Sequence, residues 1–144
     1  MFRRILETEP DYAAMVLRLA LGAMIFPHGA QKLLGIWGGQ SLTSLIIGFQ
    51  KMGIPAYLTI LIVIFEFFGG IGLILGFITR LWALGVGVIM AVAVYMVHWP
   101  LWFMNWNGQQ KGEGIEFHLL AIAMAIALLI KGGGAYSVDH RIAK

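Results

Sequence analysis

The first apolar run, residues 12–34, constrains the fold more than any other stretch of the chain. It is long enough to cross a bilayer, which takes about 20 apolar residues. Yet it contains Arg18, His28, Gln31 and Lys32. A charged group at bilayer depth costs about 2.5–3.5 kcal/mol on insertion scales, so it usually faces a partner or a wet cavity. Because Arg18, His28 and Lys32 fall on one broad side of a helix, the run predicts a membrane helix with inward polar groups.

The rest of the chain repeats this apolar character. Of 144 residues, 60% are hydrophobic and 12% charged, and the mean hydropathy is +0.84. A soluble domain of this size does not hide so much apolar surface, so we expect an integral membrane protein. The predicted fold is all-α: an antiparallel transmembrane four-helix bundle forming a single domain, 1–144. The predicted spans are 12–34, 57–77, 81–99 and 115–130, with a short interfacial helix at 41–53 between the first two.

Several function classes are disfavoured by composition. The net charge of +3 is small and the basic residues are scattered, so nucleic-acid binding is not indicated. Cysteine is absent, which excludes disulfides, thiol relays and iron–sulfur ligation on this chain. The first apolar run is too long for the core of a cleavable signal and follows an acidic stretch, so we interpret it as a membrane anchor.

The basic residues in short loops predict the orientation. If the N-terminus is cytoplasmic, the cytoplasmic side holds Arg3, Arg4, Arg80, Lys131, Arg141 and Lys144. The opposite side then holds Lys51 and Lys111, with Lys32 near the membrane edge. We therefore expect a multi-pass protein with both termini cytoplasmic.

Glu66 is the most costly residue to bury, because it lies near the middle of the second predicted span. It is either a proton carrier or headgroup ligand, or a structural partner of Arg18. Counting about 1.5 Å per residue from the inner ends places Arg18 near 10 Å and Glu66 near 16 Å. A long arginine side chain covers that gap, so the sequence favours an Arg18–Glu66 ion pair.

Three further polar residues fall in the outer half of the predicted bundle: His28, His98 and Glu116. His28 follows Pro27 and either exchanges protons with a ligand or packs by bonding to Glu66 or Glu116. His98 and Glu116 either complete a pocket with His28 or are solvated at the membrane surface. Glu116 and His118 are about 200° apart on a helix, so we expect Glu116 to face inward and His118 to be peripheral.

The sequence favours neither a metal site nor a haem site. The Glu-x-x-His spacing of di-metal bundles is absent, so no metal site is predicted. Haem ligation would require His28 and His98 to face each other across the bundle, and we do not favour it. The tryptophans at the end of the third run are more typical of membrane anchors than of a ring-stacking site; these are Trp99, Trp102 and Trp106.

Taken in order, the motifs resemble those of the DoxX family of small four-helix bacterial membrane proteins. The matching pieces are Arg18-x-x-x-Gly22, His28-Gly-x-x-Lys32-Leu, Glu66-x-x-Gly-Gly, Leu75-Gly-Phe-x-Thr-Arg80, Val92-Ala, His98, Glu116, Gly132-Gly-Gly and Ser137-Val-Asp139. The resemblance implies a place in membrane redox chemistry, because the family is named after subunits of a thiosulfate:quinone oxidoreductase linked to a quinol oxidase. It also implies that the family's recurrent polar positions map onto Arg18, His28, Lys32, Glu66, His98 and Glu116.

Two functions follow as expectations. The first is a quinone-interacting subunit of an inner-membrane oxidoreductase system, with quinone as the bound substrate and a partner oxidoreductase subunit. His28 and Glu66 would then handle protons, Arg18 would fix Glu66, and Lys32, His98 and Glu116 would line the outer mouth. The alternative is a non-catalytic assembly or scaffold protein whose polar residues hold the helices together. The glycine-rich face of the second span, with Gly72-x-x-x-Gly76, is also compatible with a homo-oligomer.

Overall fold

A computed structural model describes residues 6–103 and 112–143, and its regular elements there are helices. Arg3, Arg4, Trp106, Lys111 and Lys144, used in the arguments above, lie outside these residues. We number the helices α1 (Tyr12–Leu34), α2 (Leu42–Lys51), α3 (Ala56–Leu75), α4 (Thr79–Ala93), α5 (Glu116–Lys131) and α6 (Val138–Ala143). After α4 the chain continues through a π turn (Val94–His98) and a 3₁₀ turn (Trp99–Leu101).

The predicted fold class is confirmed: the protein is a helical membrane bundle. Its most extensive packing is between α1 and α3, followed by that between α4 and α5. Three helical stretches among the described residues are long and apolar enough to cross a membrane: Tyr12–Leu34, Ala56–Leu75 and Thr79–Leu101. Helix α5 has 16 residues and is therefore only about 24 Å long. Helix α2 contains no buried residue, and its interfacial location stays a prediction.

Local sequence explains where these helices begin and end. The Asp11 carboxylate accepts hydrogen bonds from the backbone amides of Ala13 and Ala14, which satisfies two free donors at the start of α1. Ser41 caps the start of α2, because its hydroxyl accepts a hydrogen bond from the Ser44 amide at 3.2 Å. Gly76 ends α3 with a φ of 68°, a conformation that glycine adopts without steric cost.

Glycines set the contact between α1 and α3. A Cβ on Gly29 would lie 2.5 Å from the carbonyl carbon of Glu66, and one on Gly22 would lie 2.9 Å from the Gly70 carbonyl oxygen. Only glycine permits this approach, so the register of α1 against α3 is fixed at these positions. One consequence is that Lys32, one helical turn beyond Gly29, lies beside Glu66.

The glycine face of α3 is used inside the chain. Gly70 packs on the backbone of Phe26, and Gly72 packs under the indole ring of Trp82. These glycines are buried. They therefore do not provide the free face on which the expectation of a homo-oligomer depended.

The end of the bundle that contains Arg18 is closed by the segment that follows α5. Arg18 is 3% exposed and donates hydrogen bonds to the backbone carbonyls of Gly133 at 2.8 Å and Ala135 at 3.2 Å. It also donates to the carbonyls of Leu73 at 3.2 Å and of Ile74. Carbonyls in the last turn of a helix lack the usual amide donor from the next turn, so the guanidinium stabilises the end of α3 and the C-terminal segment together.

Asp139 plays a matching role at the start of α4. Its two carboxylate oxygens accept hydrogen bonds from the amides of Ile78 at 2.7 Å and Thr79 at 2.9 Å. Ile78 has a φ of 51°, which is strained for a β-branched residue. The buried carboxylate therefore holds the tight α3–α4 connection in place.

Candidate functional site

A cavity of about 920 Å³ lies at the end of the bundle away from Arg18. Most of its wall is apolar, contributed by α2, α3, α4, the π turn and α5. Five of the six predicted site residues line it: His28, Lys32, Glu66, His98 and Glu116. The structure thus brings these residues to one place, while their roles there remain predictions.

An ion pair between Lys32 and Glu66 forms the innermost polar part of this cavity. The Lys32 Nζ lies 2.5 Å from each carboxylate oxygen of Glu66. The Glu66 side chain is 3% exposed and that of Lys32 is 25% exposed. Such burial is tolerated because each charge neutralises the other. Lys32 was expected at the outer mouth, and its contact with Glu66 corrects that expectation.

The predicted Arg18–Glu66 pair is wrong. The Gly29 contact sets Glu66 opposite the C-terminal part of α1, and Arg18 precedes Gly29 by eleven residues, or about 16 Å of helix. Counting depth from the span ends missed this register. Arg18 accordingly bonds to carbonyls at the far end of α3 and does not line the cavity.

The π turn positions His98. This turn is wider than an α-helical turn and places the consecutive residues Met96, Val97 and His98 on the cavity wall. His98 Nδ1 lies 3.0 Å from the backbone carbonyl oxygen of Glu113. Because a carbonyl only accepts, Nδ1 carries the proton of this bond. In the neutral ring, Nε2 is therefore the acceptor.

His118 is the site residue that the sequence argument missed. It was expected to be peripheral, but it is 7% exposed, lines the cavity and contacts His98 with 4.1 Å between ring centroids and the ring planes tilted by 41°. A signal was available, because His118 heads a row of buried positions on α5 that continues with Ala121, Ala125 and Leu128. These positions recur at intervals of three and four, which indicates one helix face.

Glu116 and His118 line the same cavity although they are two residues apart, contrary to the expectation that they cannot easily serve one site. Glu116 is the first residue of α5, and its carboxylate lies back over Gly114 in the preceding loop. The separation of about 200° holds for two side chains that both project from the helix. The Glu116 side chain instead turns back over the preceding loop, so both residues reach the cavity.

His28 lies on α1 four residues before Lys32 and contributes an exposed imidazole to the cavity wall. Its ring centroid is 6.3 Å from that of Phe117 on α5. α1 continues as one helix through Pro27. His28 therefore adds a hydrogen-bonding group on the same side of the helix as the ion pair. Within residues 6–103 and 112–143, no group of three or more His, Cys, Asp or Glu side chains is placed to hold a metal ion.

The order and spacing of these polar residues agree with a known family. The DoxX family model matches residues 13–99, which include His28, Lys32, Glu66 and His98. The chain belongs to the DoxX family. Glu116 and His118 lie beyond the match and extend this DoxX cavity with residues from α5.

One relative comes from Escherichia coli (strain K12) and is the inner membrane protein YqjF. It is 25% identical over 139 residues, covering 93% of this chain and 95% of the relative. The similarity therefore extends across the whole bundle, including the segment after residue 99. No solved structure matches the chain.

Proposed function

We propose that this DoxX-family protein binds a quinone in the cavity and acts as a subunit of a membrane oxidoreductase system. One observation carries the proposal: a large, mostly apolar cavity contains the Lys32–Glu66 ion pair, with its carboxylate buried, and has His28 in the same wall. The cavity volume, about 920 Å³, falls in the range of about 300–1,000 Å³ typical of small-molecule sites.

The chemistry of the cavity suits a quinone. A quinone offers an apolar ring, two carbonyl oxygens that accept hydrogen bonds, and no charge. Lys32 and His28 supply donors, while Phe117 and the aliphatic residues of α4 supply apolar contacts. Since polar groups in an apolar site fix the orientation of a ligand, Lys32 or His28 would hold a ring carbonyl.

Reduction of a quinone to a quinol takes two electrons and two protons. The chain has no cysteine, so we assign the electrons to a partner oxidoreductase subunit. This chain's residues would supply the protons. Lys32 and a protonated His28 would each donate one proton to a ring oxygen, and the ionised Glu66 would take up a proton to restore the one that Lys32 gives. His98, whose Nε2 can accept a proton, would take one up at the cavity mouth and pass it to the residues that have donated theirs.

The name of the relative suggests the bacterial inner membrane as the location. With both termini cytoplasmic, as the loop charges favour, the cavity would lie in the outer half of the bilayer. The partner subunit would then donate electrons near that face.

The alternative, a non-catalytic scaffold for a redox or detoxifying complex, is favoured by the closed end of the bundle. Arg18 and Asp139 are buried and bonded to backbone groups, so they act in folding. If the Lys32–Glu66 pair also acts only in folding, its removal will lower the stability of the protein and leave its affinity for quinone unchanged.

Quinone titration of the protein in lipid nanodiscs tests the proposal. We expect saturable binding by the natural protein. The double variant Lys32→Met/Glu66→Gln, which removes both charges together, should lose most of it while remaining folded. Lys51→Met is the matched control, because Lys51 is exposed on α2 and does not line the cavity. Absence of binding by the natural protein, or equal binding by the double variant, would overturn the proposal.

A further inference from the structure

Part of the edge of the cavity's opening is apolar. Seven residues both line the cavity and are exposed, and four of them have aliphatic or thioether side chains: Met52, Val92, Met96 and Val97. Met52 follows α2, whereas Val92, Met96 and Val97 belong to α4 and the π turn. An exposed residue on a cavity wall marks an edge of the opening. These four side chains therefore form an apolar rim along part of that edge, and His28, Glu113 and Phe117 border the rest.

Packing explains why the cavity is open between Met52 and the residues of α4 and the π turn. Helix α2 packs on α3 and α1, while the π turn packs on α4 and the 3₁₀ turn that follows. The two sides of the rim therefore belong to different parts of the bundle. Helix α2 is also peripheral: none of its residues is buried, and a Cβ added to Gly48 would meet no heavy atom within 4 Å.

The cavity is polar at its inner end and apolar at this rim. Lys32 and Glu66 form the inner end, and the Glu66 side chain is almost fully buried. The four rim residues carry no hydrogen-bonding side-chain group stronger than a thioether. An occupant that satisfies both ends has a hydrogen-bonding head and a long apolar chain.

We infer that the ligand enters sideways from the bilayer through this rim and leaves its apolar chain lying between Met52 and Val97. This inference rests on the proposed function and narrows its substrate class to quinones with a long isoprenoid chain. A water-soluble quinone without a chain has no contact with the rim and gains nothing from it.

Paired tryptophan substitutions test the inference in nanodiscs. Val97→Trp and Met52→Trp narrow the rim from its two sides. Val88→Trp and Ile47→Trp are the matched controls, because Val88 and Ile47 are similarly exposed on α4 and α2 but do not line the cavity. Affinity is measured for a long-chain quinone and for the same ring without its chain, as mole fractions in the lipid.

We expect each rim variant to lower the affinity for the long-chain quinone by about tenfold, because several methylene contacts are lost. The affinity for the chain-free ring should stay nearly unchanged. The control variants should match the natural protein for both ligands. If the ring alone binds as well as the long-chain quinone, or if both rim variants leave long-chain binding unaltered, the inference fails and the proposed function stands. If the natural protein binds neither quinone, the proposed function itself fails.

Discussion

Lys32 Nζ lies 2.5 Å from both carboxylate oxygens of Glu66, across the contact between α1 and α3. The contact depends on Gly29, whose missing side chain lets the two helix backbones meet. A membrane bundle thereby gains a compensated pair of charges at a cavity wall. The pair can serve a ligand because Lys32 remains partly accessible from the cavity.

The two single variants of this pair should differ in stability. Lys32→Met leaves a carboxylate that is 3% exposed without its partner, and we expect a loss of about 3 kcal/mol in the free energy of unfolding. Glu66→Gln leaves a more accessible ammonium and should cost less. The double variant should recover most of the loss, since both charges are gone. Unfolding in mild detergent measures all four proteins as a double-mutant cycle; strictly additive losses would mean that the charges do not interact.

Arg18 should behave as a structural residue. Arg18→Lys retains the charge but loses the planar fork that reaches Gly133, Ala135 and the end of α3. We expect a loss of about 1–3 kcal/mol in stability, since several buried carbonyls lose a donor. Quinone affinity of the folded fraction should change less than about twofold, because distant sites act almost independently. A loss of quinone binding without a drop in melting temperature would show that Arg18 acts in quinone binding and not in folding.

The helix contact at Gly29 can be tested with a single methyl group. Gly29→Ala places a Cβ against the backbone of Glu66 and Phe67, so α1 and α3 must separate. We expect a lower melting temperature and weaker quinone binding. Gly48→Ala is the control, because open space surrounds that position and alanine favours a helix by about 1 kcal/mol over glycine. Equal effects of the two variants would contradict the close contact.

Asp11 gives a pH dependence outside the membrane span. The hydrogen bond from the Ala14 amide, together with that from Lys131, lowers the pKa of the Asp11 carboxyl below its ordinary value of 3.8. Its contribution to stability is therefore complete above that value and is lost as the pH falls through the lowered pKa. We expect Asp11→Ala to melt below the natural protein at pH 7, with the gap closing as the pH falls below 3.8 and through the lowered pKa. Glu9→Ala removes an exposed carboxylate that is not the cap of α1, and an equal drop in melting temperature at pH 7 would contradict the role of Asp11 as the cap.

Much of the fold follows from the sequence, because apolar run length and helix caps are local properties. The predicted span 12–34 coincides with α1, and 115–130 differs from α5 by one residue at each end. The third span was predicted to stop at Trp99, whereas the α-helix ends at Ala93 and a π turn begins at Val94. A π turn depends on how the helix packs and has no simple residue pattern, so the sequence did not reveal it.

The sequence predicted five of the residues that line the cavity, but not how they pair. His28, Lys32, Glu66, His98 and Glu116 do line one cavity, since charge within apolar runs marks such places. Which charge meets Glu66 depends on the register of α1 against α3, and a depth count from the span ends does not capture it.

The most direct test of quinone binding is the composition of protein purified gently from native membranes. Lipid extraction and mass analysis would measure bound quinone per chain. We expect close to one long-chain quinone per natural protein, retained in Lys51→Met and lost in Lys32→Met/Glu66→Gln. A folded natural protein that carries no quinone, and does not take up added quinone, would contradict the assignment of the cavity and leave the scaffold function as the better explanation.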